Sequence, residues 1–235
     1  MLLYHHLREG RFLQRPNRFI ALCETGGAAT RCHVKNTGRC RELLEIGARV
    51  WLEESDAPGR KTRFDLVAVE SRGHVVNLDS QAPNAVFAEF VRAGGFLPGV
   101  TLLRAETTFG ASRFDFFYER AGGIRGFAEI KGVTLFDETG TAFFPDAPTE
   151  RGVKHLLELM AARGAGYEAS VCFLLQRDDV HALRPNDLTH PAFGDALRAA
   201  AAAGVMVRAL ECHVTPETMT VQREVPALLS SLQDQ

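Results

Sequence analysis

Two short strands and the turn between them constrain this chain most. Ser112-Arg113-Phe114-Asp115-Phe116 alternates polar and aromatic residues, Ala121-Gly122-Gly123 breaks the run, and residues 125–133 resume it around Glu129-Ile130-Lys131. Strand side chains alternate between faces. Glu129 and Lys131 therefore share one face with Arg113, Asp115 and Phe117, while Phe114, Phe116, Tyr118, Ala128 and Ile130 make an apolar, core-facing side. If Gly122 centres the turn, Asp115 stands opposite Glu129 and Arg113 opposite Lys131. Two carboxylates opposed across a ladder repel. A divalent cation between them, Mg²⁺ or Mn²⁺, resolves that repulsion, and Lys131 can orient a water or steady developing charge on a phosphate. The same residues also make an ordinary exposed face of surface salt bridges, and a slip of one residue breaks the pairing. Spacing leaves both readings standing.

Around this hairpin the pattern changes once. The first 80 or so residues read as short strands at 19–24, 30–34, 49–53, 64–70 and 74–78, with turns at Asn36-Thr37-Gly38, Ala57-Pro58-Gly59 and Arg72-Gly73. Such a row suits a small β-barrel, with an oligonucleotide-binding (OB-fold-like) barrel the leading case. From Pro83 the periodicity turns helical: a helix at 84–92, strands at 100–107, 113–119 and 125–133, and a helix capped by Thr149 and stopped by Gly164. Val153, Leu156, Leu157 and Met160 line one stripe of that helix, which puts Lys154 and His155 on its outer face. A strand at 169–175, a helix at 191–203 and a strand at 205–214 complete a mixed sheet flanked by helices. The expected division is a barrel over 1–82 and an α/β domain over 83–235.

Charge is distributed unevenly along the chain. Residues 1–50 hold nine Lys/Arg against four Asp/Glu, whereas the remainder holds 18 against 25. A basic end on an acidic chain suits a polynucleotide phosphate backbone, and equally a solvated arginine-rich face. Arg15, Arg18, Arg39 and Arg41 lie near turns where they can follow such a backbone, and Phe19 fits core better than a stacking platform. With no base-reading helix in view, DNA binding is expected to be mostly sequence-nonspecific, and RNA remains an alternative. Apolar stretches fall short of the roughly 20 residues of a membrane span, and Met1-Leu2-Leu3-Tyr4-His5-His6 is too short and polar for a signal peptide. Five cysteines without a CxxC pair fit reduced thiols and a cytoplasmic location. Cys32-His33 reads as strand residues, not as a metal site.

SRFDF (112–116), EIKGVTL (129–135), FFPDAPTERGVKHLLELM (143–160), RPNRF (15–19) and NTG (36–38) closely resemble the sugar fermentation stimulation protein A family of bacteria and archaea. The resemblance runs over nearly the whole chain. It implies an oligonucleotide-binding-type barrel followed by a PD-(D/E)xK nuclease-like domain, in a DNA-binding protein tied to regulation of sugar-metabolism genes. Carried over residue by residue, it makes Asp115 the D, Glu129 the (D/E) and Lys131 the K, with Phe114 where the pattern's name has proline. Pro145-Asp146 also spells PD, but follows the E-I-K strand and reads as a loop. Glu106, upstream, is a candidate third metal carboxylate, and Lys154 and His155 are candidate phosphate contacts. Two functions follow: a metal-dependent phosphodiesterase, or a non-catalytic DNA-binding regulator of sugar (maltose-type) metabolism genes that retains a nuclease fold.

Overall fold

Charge does not prevent Leu7–Asn17 from forming the first strand (β1), which sequence reading missed because its LREGRFLQRPN pattern has only two buried side positions. It is the longest strand of the barrel, pairing on one edge with Ile20–Thr25 (β2) and on the other with Arg49–Glu54 (β4). Gly10 allows this, since a Cβ there would stand 2.5 Å from the Glu24 carbonyl oxygen. Ala28–Val34 (β3) pairs with β2 and, in parallel, with Phe64–Ser71 (β5), which also pairs with β4. These pairings close five strands into a barrel, and His74–Asn77 (β6) extends β5. Phe12, Cys23, Cys32, Leu52 and Leu66 fill it. The computed structural model describes residues 1–36, 38–55 and 59–230. Thr37, Ala57 and Pro58 of the expected turns, and residues 231–235 of the expected second domain, lie outside these.

The remaining described residues form the expected α/β arrangement with more strands than the sequence suggested. Val100–Phe109 (β7), Ser112–Arg120 (β8), Ile124–Val133 (β9), Glu168–Leu175 (β12), Met206–Val214 (β14) and Met219–Val225 (β15) make a mixed sheet in the order β15-β14-β12-β9-β8-β7. Leu135–Phe136 (β10), Thr141–Phe144 (β11) and Ala182–Pro185 (β13) add a small second sheet. The helix Ala82–Arg92 (α1) covers one face of the large sheet through Val86, Phe87 and Val91, against Phe116, Tyr118, Ala128 and Ile130. Helices Glu150–Gly164 (α2) and Pro191–Ala202 (α3) cover the other, through Leu156, Leu159, Phe193 and Leu197 against Phe127 and Val171.

Thr149 caps α2 as expected, accepting a hydrogen bond from the Gly152 amide at 3.0 Å. The buried stripe of α2, however, is Gly152, His155, Leu156, Leu159 and Ala162, while Leu157 is 53% exposed. The apolar count chose the wrong edge of the stripe because it scored His155 as polar surface. His155 is 5% exposed, held inside by a partner on β9.

The two bodies meet through polar contacts as well as packing. Gln176 donates to the Asn77 carbonyl at 3.0 Å, and the Asn77 amide donates back to the Gln176 carbonyl at 2.9 Å. Tyr4 and Lys35 converge on Asp79. Phe136 packs against both cores. The chain's first residues cross over: Leu2 bridges Thr218, and Leu3 donates to the Glu217 carbonyl.

Candidate active site

The β8–β9 ladder has the register that a turn centred on Gly122 requires, from Arg120↔Ile124 through Phe116↔Ala128. Gly122 and Gly123 make the turn with φ of 85° and 75°. Beyond Phe116 the strands part. The Asp115 carboxylate takes the Ile130 amide at 2.7 Å, so a side chain replaces the ladder there. On its other edge β8 pairs Ala105↔Phe116 and Thr107↔Phe114, and between them Glu106 sits at φ 55°, a left-handed conformation rare outside glycine. Both neighbours of Asp115 are thus irregular. As a result Phe114 packs on the α2 side while Phe116 stays under α1, correcting the expectation that both share one core face.

Nor is the charged face open. α2 lies over it, and Glu129 is 3% exposed. Its Oε1 takes the Lys131 ammonium at 2.5 Å and the Nδ1 of His155, while Oε2 is buried with no hydrogen-bond partner among the described residues. Arg151 Nε donates to His155 Nε2 at 3.3 Å, which leaves Nδ1 to carry the hydrogen toward Glu129. Asp115 is held by a second amide: Asn84 Nδ2, at the start of α1, donates to its Oδ1 at 3.0 Å. Sequence reading missed Asn84 and Arg151, because nothing in a helix's first turn announces a bond to a strand or to a histidine that the strand holds inside.

The two carboxylates are tuned in opposite directions. Burial and the nearby Glu129 raise the pKa of Asp115, against the Ile130 and Asn84 donors and Lys131. For Glu129, burial also pushes upward, but the His155 hydrogen bond and the Lys131 ammonium outweigh it and lower the pKa. Asp115, Glu129 and Lys131 therefore form one electrostatic unit. Glu106 stands outside it, because its carboxylate pairs with Arg113 Nε at 2.5 Å. That pair also diverts Arg113 from the expected place opposite Lys131. Among the described residues no group of three or more His, Cys, Asp or Glu is arranged to hold a metal ion.

The family model described as the Sugar fermentation stimulation protein RE domain matches residues 81–218, and that described as the SfsA N-terminal OB domain matches residues 13–78. The chain belongs to the sugar fermentation stimulation protein family. The Sugar fermentation stimulation protein homolog of Desulfitobacterium hafniense (strain Y51) is 53% identical over 216 residues, covering 92% of this chain and 93% of that one. The homolog of Ruminiclostridium cellulolyticum is 45% identical over 226 residues, covering 96% and 99%. The solved structure of Pyrococcus furiosus SfsA in complex with Ca²⁺ superposes with a TM-score of 0.87 at 28% identity, covering 97% and 99%.

In this family member the barrel is the N-terminal OB domain and the mixed sheet, a C-terminal α/β domain, lies in the stretch matched by the RE domain. The OB-domain arginines divide into two kinds. Arg15 donates to the carbonyls of Arg18, Asn36, Gly38 and Arg39 at 2.7–2.9 Å, so it braces the turns and is not free for phosphate. Arg18, Arg39 and Arg41 are exposed. Phe19, expected inside, is 43% exposed with the Arg18 guanidinium 4.7 Å from its ring centre. In the C-terminal α/β domain Lys154 is exposed and donates to the Ala111 carbonyl at 3.2 Å, beside the start of β8. His155, expected on that same outer surface, belongs to the carboxylate cluster instead. All five cysteines are buried free thiols, and no helix among the described residues is long and apolar enough to cross a membrane.

Proposed function

We propose that the protein is a phosphodiesterase of DNA that uses a hard divalent cation, Mg²⁺ or Mn²⁺, held by Asp115 and Glu129. The observation that carries this reading is the buried Glu129 Oε2, which has no hydrogen-bond partner among the described residues and lies near a half-buried second carboxylate whose charge Glu129 disfavours. A buried acceptor without a donor is costly, and two converging carboxylates suit a cation of this class. The Ca²⁺ complex of the Pyrococcus furiosus relative supports the same ligand chemistry. When bound, the cation supplies positive charge against phosphate oxygens.

The chain's own residues do the rest. His155 and Lys131 hold Glu129 through Oε1 and keep Oε2 turned away from them, and Arg151 fixes the His155 ring. Asn84 and the Ile130 amide fix Asp115. Lys131 keeps an ammonium within the site, where its remaining N–H groups can orient the attacking water or a phosphate oxygen. Arg18, Arg39, Arg41 and Lys154 offer exposed phosphate contacts, so binding is mainly electrostatic and mostly nonspecific in sequence. Buried free thiols accord with a cytoplasmic setting.

The diversion of Glu106 to Arg113 favours a second reading, a DNA-binding regulator of sugar-metabolism genes in which two carboxylates are too few for turnover. Incubating the protein with labelled single- and double-stranded DNA and RNA, with EDTA, Mg²⁺ or Mn²⁺, separates the readings. The enzyme reading requires metal-dependent cutting of DNA that Asp115→Asn and Lys131→Ala abolish while DNA binding persists. Binding without cutting in any metal leaves the regulator, and cutting confined to RNA changes the substrate.

A further inference from the structure

The two domains line a cavity of about 170 Å³ that reaches β9 one residue past Lys131, on the α1 side of the strand. The OB domain contributes Asn36 and Gly38, and the C-terminal domain contributes Gly132, Phe144, Asp146 and Gln176. Gly132 directly follows Lys131 on β9, and Ser80, also on the wall, precedes the helix whose Asn84 holds Asp115. The cavity is therefore the neighbour of the proposed cutting site along two elements.

Two glycines keep it open. A Cβ on Gly38 would stand 2.3 Å from an Asp146 carboxylate oxygen, and one on Gly132 would stand 2.3 Å from Gln176 Oε1. Gln176 is 1% exposed, and its Nε2 faces three oxygens, Asn77 O, Asn77 Oδ1 and Asp79 O, at 3.0–3.3 Å. This fixes the amide and leaves Oε1 as an acceptor turned to Gly132. Asp146 Oδ2 accepts from the Arg39 amide at 3.2 Å, and Oδ1 takes no partner among the described residues. Asn36 Oδ1 accepts from the Gly38 amide at 2.7 Å, which leaves its Nδ2 as a donor. The wall thus presents two fixed acceptors, one donor and the Phe144 ring. Cavities of roughly 150 Å³ accept a benzene ring, so this one has room for a single six-membered ring with small substituents.

We propose that the cavity receives an unpaired cytosine turned out of the DNA strand held at Asp115, Glu129 and Lys131. The exocyclic amine of cytosine donates to Asp146 and Gln176, and its ring carbonyl or N3 accepts from Asn36. Thymine would set its O4 against the carboxylate, leaving two buried acceptors facing each other. Extrusion costs least where the base is already unpaired. The inference rests on the phosphodiesterase reading for the course of the strand.

The test uses the full chain in EDTA, so that nothing is cut, and fluorescence polarisation with duplexes carrying one unpaired cytosine, one unpaired thymine, one abasic bulge or no bulge. The cytosine bulge is expected to bind about tenfold tighter than the thymine or abasic bulge. Asp146→Asn keeps an acceptor for the Arg39 amide but adds a donor, and should bring cytosine and thymine within about threefold of each other. Gly132→Ala fills the cavity and should reduce the cytosine bulge to the abasic level, with the fully paired duplex unchanged. Equal binding of all bulges by the wild type overturns the proposal, as does full cytosine preference in Asp146→Asn. If DNA is bound and cut in Mn²⁺ without preference among bulges, the cavity inference alone falls. If DNA is not bound at all, the phosphodiesterase reading falls with it.

Discussion

Asp115 is the residue at which charge and stability are most directly opposed. Its folded-state pKa is raised by burial and by Glu129, so its contribution to stability is fully present below the unfolded aspartate value and lost as pH rises through the raised one. Asp115→Asn removes that cost and still offers an oxygen to the Ile130 amide. In EDTA at pH 7 the variant should melt level with the wild type or about 2–4 °C higher, the shift expected for about 1 kcal/mol in a chain of this size. The gain should vanish below the ordinary aspartate pKa of about 4, where the wild-type carboxyl is neutral as well. Millimolar Mn²⁺ should reverse the order by raising only the wild-type midpoint. A lower melting point for the variant at pH 7 in EDTA would show that Asp115 is chiefly a salt-bridge partner. Glu129 has the opposite sign: its lowered pKa gives stability above the ordinary glutamate range that is lost as pH falls through the lowered value.

Among the elements, what sequence could read was local, and what it could not read was set by distant partners. The β8–β9 register was legible because Gly122 and Gly123 fix the turn and the alternation of 112–116 fixes the faces. The break in that register at Asp115 was not, because it depends on Glu106 in the next strand and Asn84 in a helix. α2 was legible in length and cap, but its inner edge was set by the bond between His155 and Glu129, 26 residues apart. Leu157→Lys should therefore change stability by less than about 0.5 kcal/mol, whereas Leu159→Ala should cost about 2–5 kcal/mol in urea denaturation. The reverse order would restore the stripe read from sequence. The turns of the OB domain offer a parallel contrast. Arg15→Ala strips four carbonyls of their donor and should cost about 2 kcal/mol. Arg39→Ala and Arg41→Ala should leave stability within about 0.5 kcal/mol, yet each should lower the salt dependence of DNA binding by about one phosphate contact. Loss of the salt slope in Arg15→Ala alone would return Arg15 to the phosphate-binding set.

For the whole molecule, we propose a division between residues 82 and 83, with Met1–Tyr4 reaching across to the second body. The junction is a buried polar network, not a linker. Tyr4 Oη accepts from Asn77 Nδ2 at 2.9 Å and donates to Asp79 Oδ2 at 3.3 Å. Tyr4→Phe strips Asn77 Nδ2 of its acceptor and leaves Asp79 Oδ2 to Lys35 alone, and should cost about 1–3 kcal/mol while preserving a single thermal transition. Two separate transitions in the variant would show that the bond from Asn77 to Gln176, which joins the bodies, depends on this hydroxyl holding Asn77; an unchanged midpoint would show that the hydroxyl stabilises nothing. A junction built this way also turns the OB domain into a ruler. With Asn77 bonded to Gln176 through both backbone and side chain, the span from the barrel's exposed arginines to the carboxylates has one value. On the proposed phosphodiesterase reading, a strand anchored on the barrel would be measured before it is cut, and its products should collect at one length instead of spreading into a ladder.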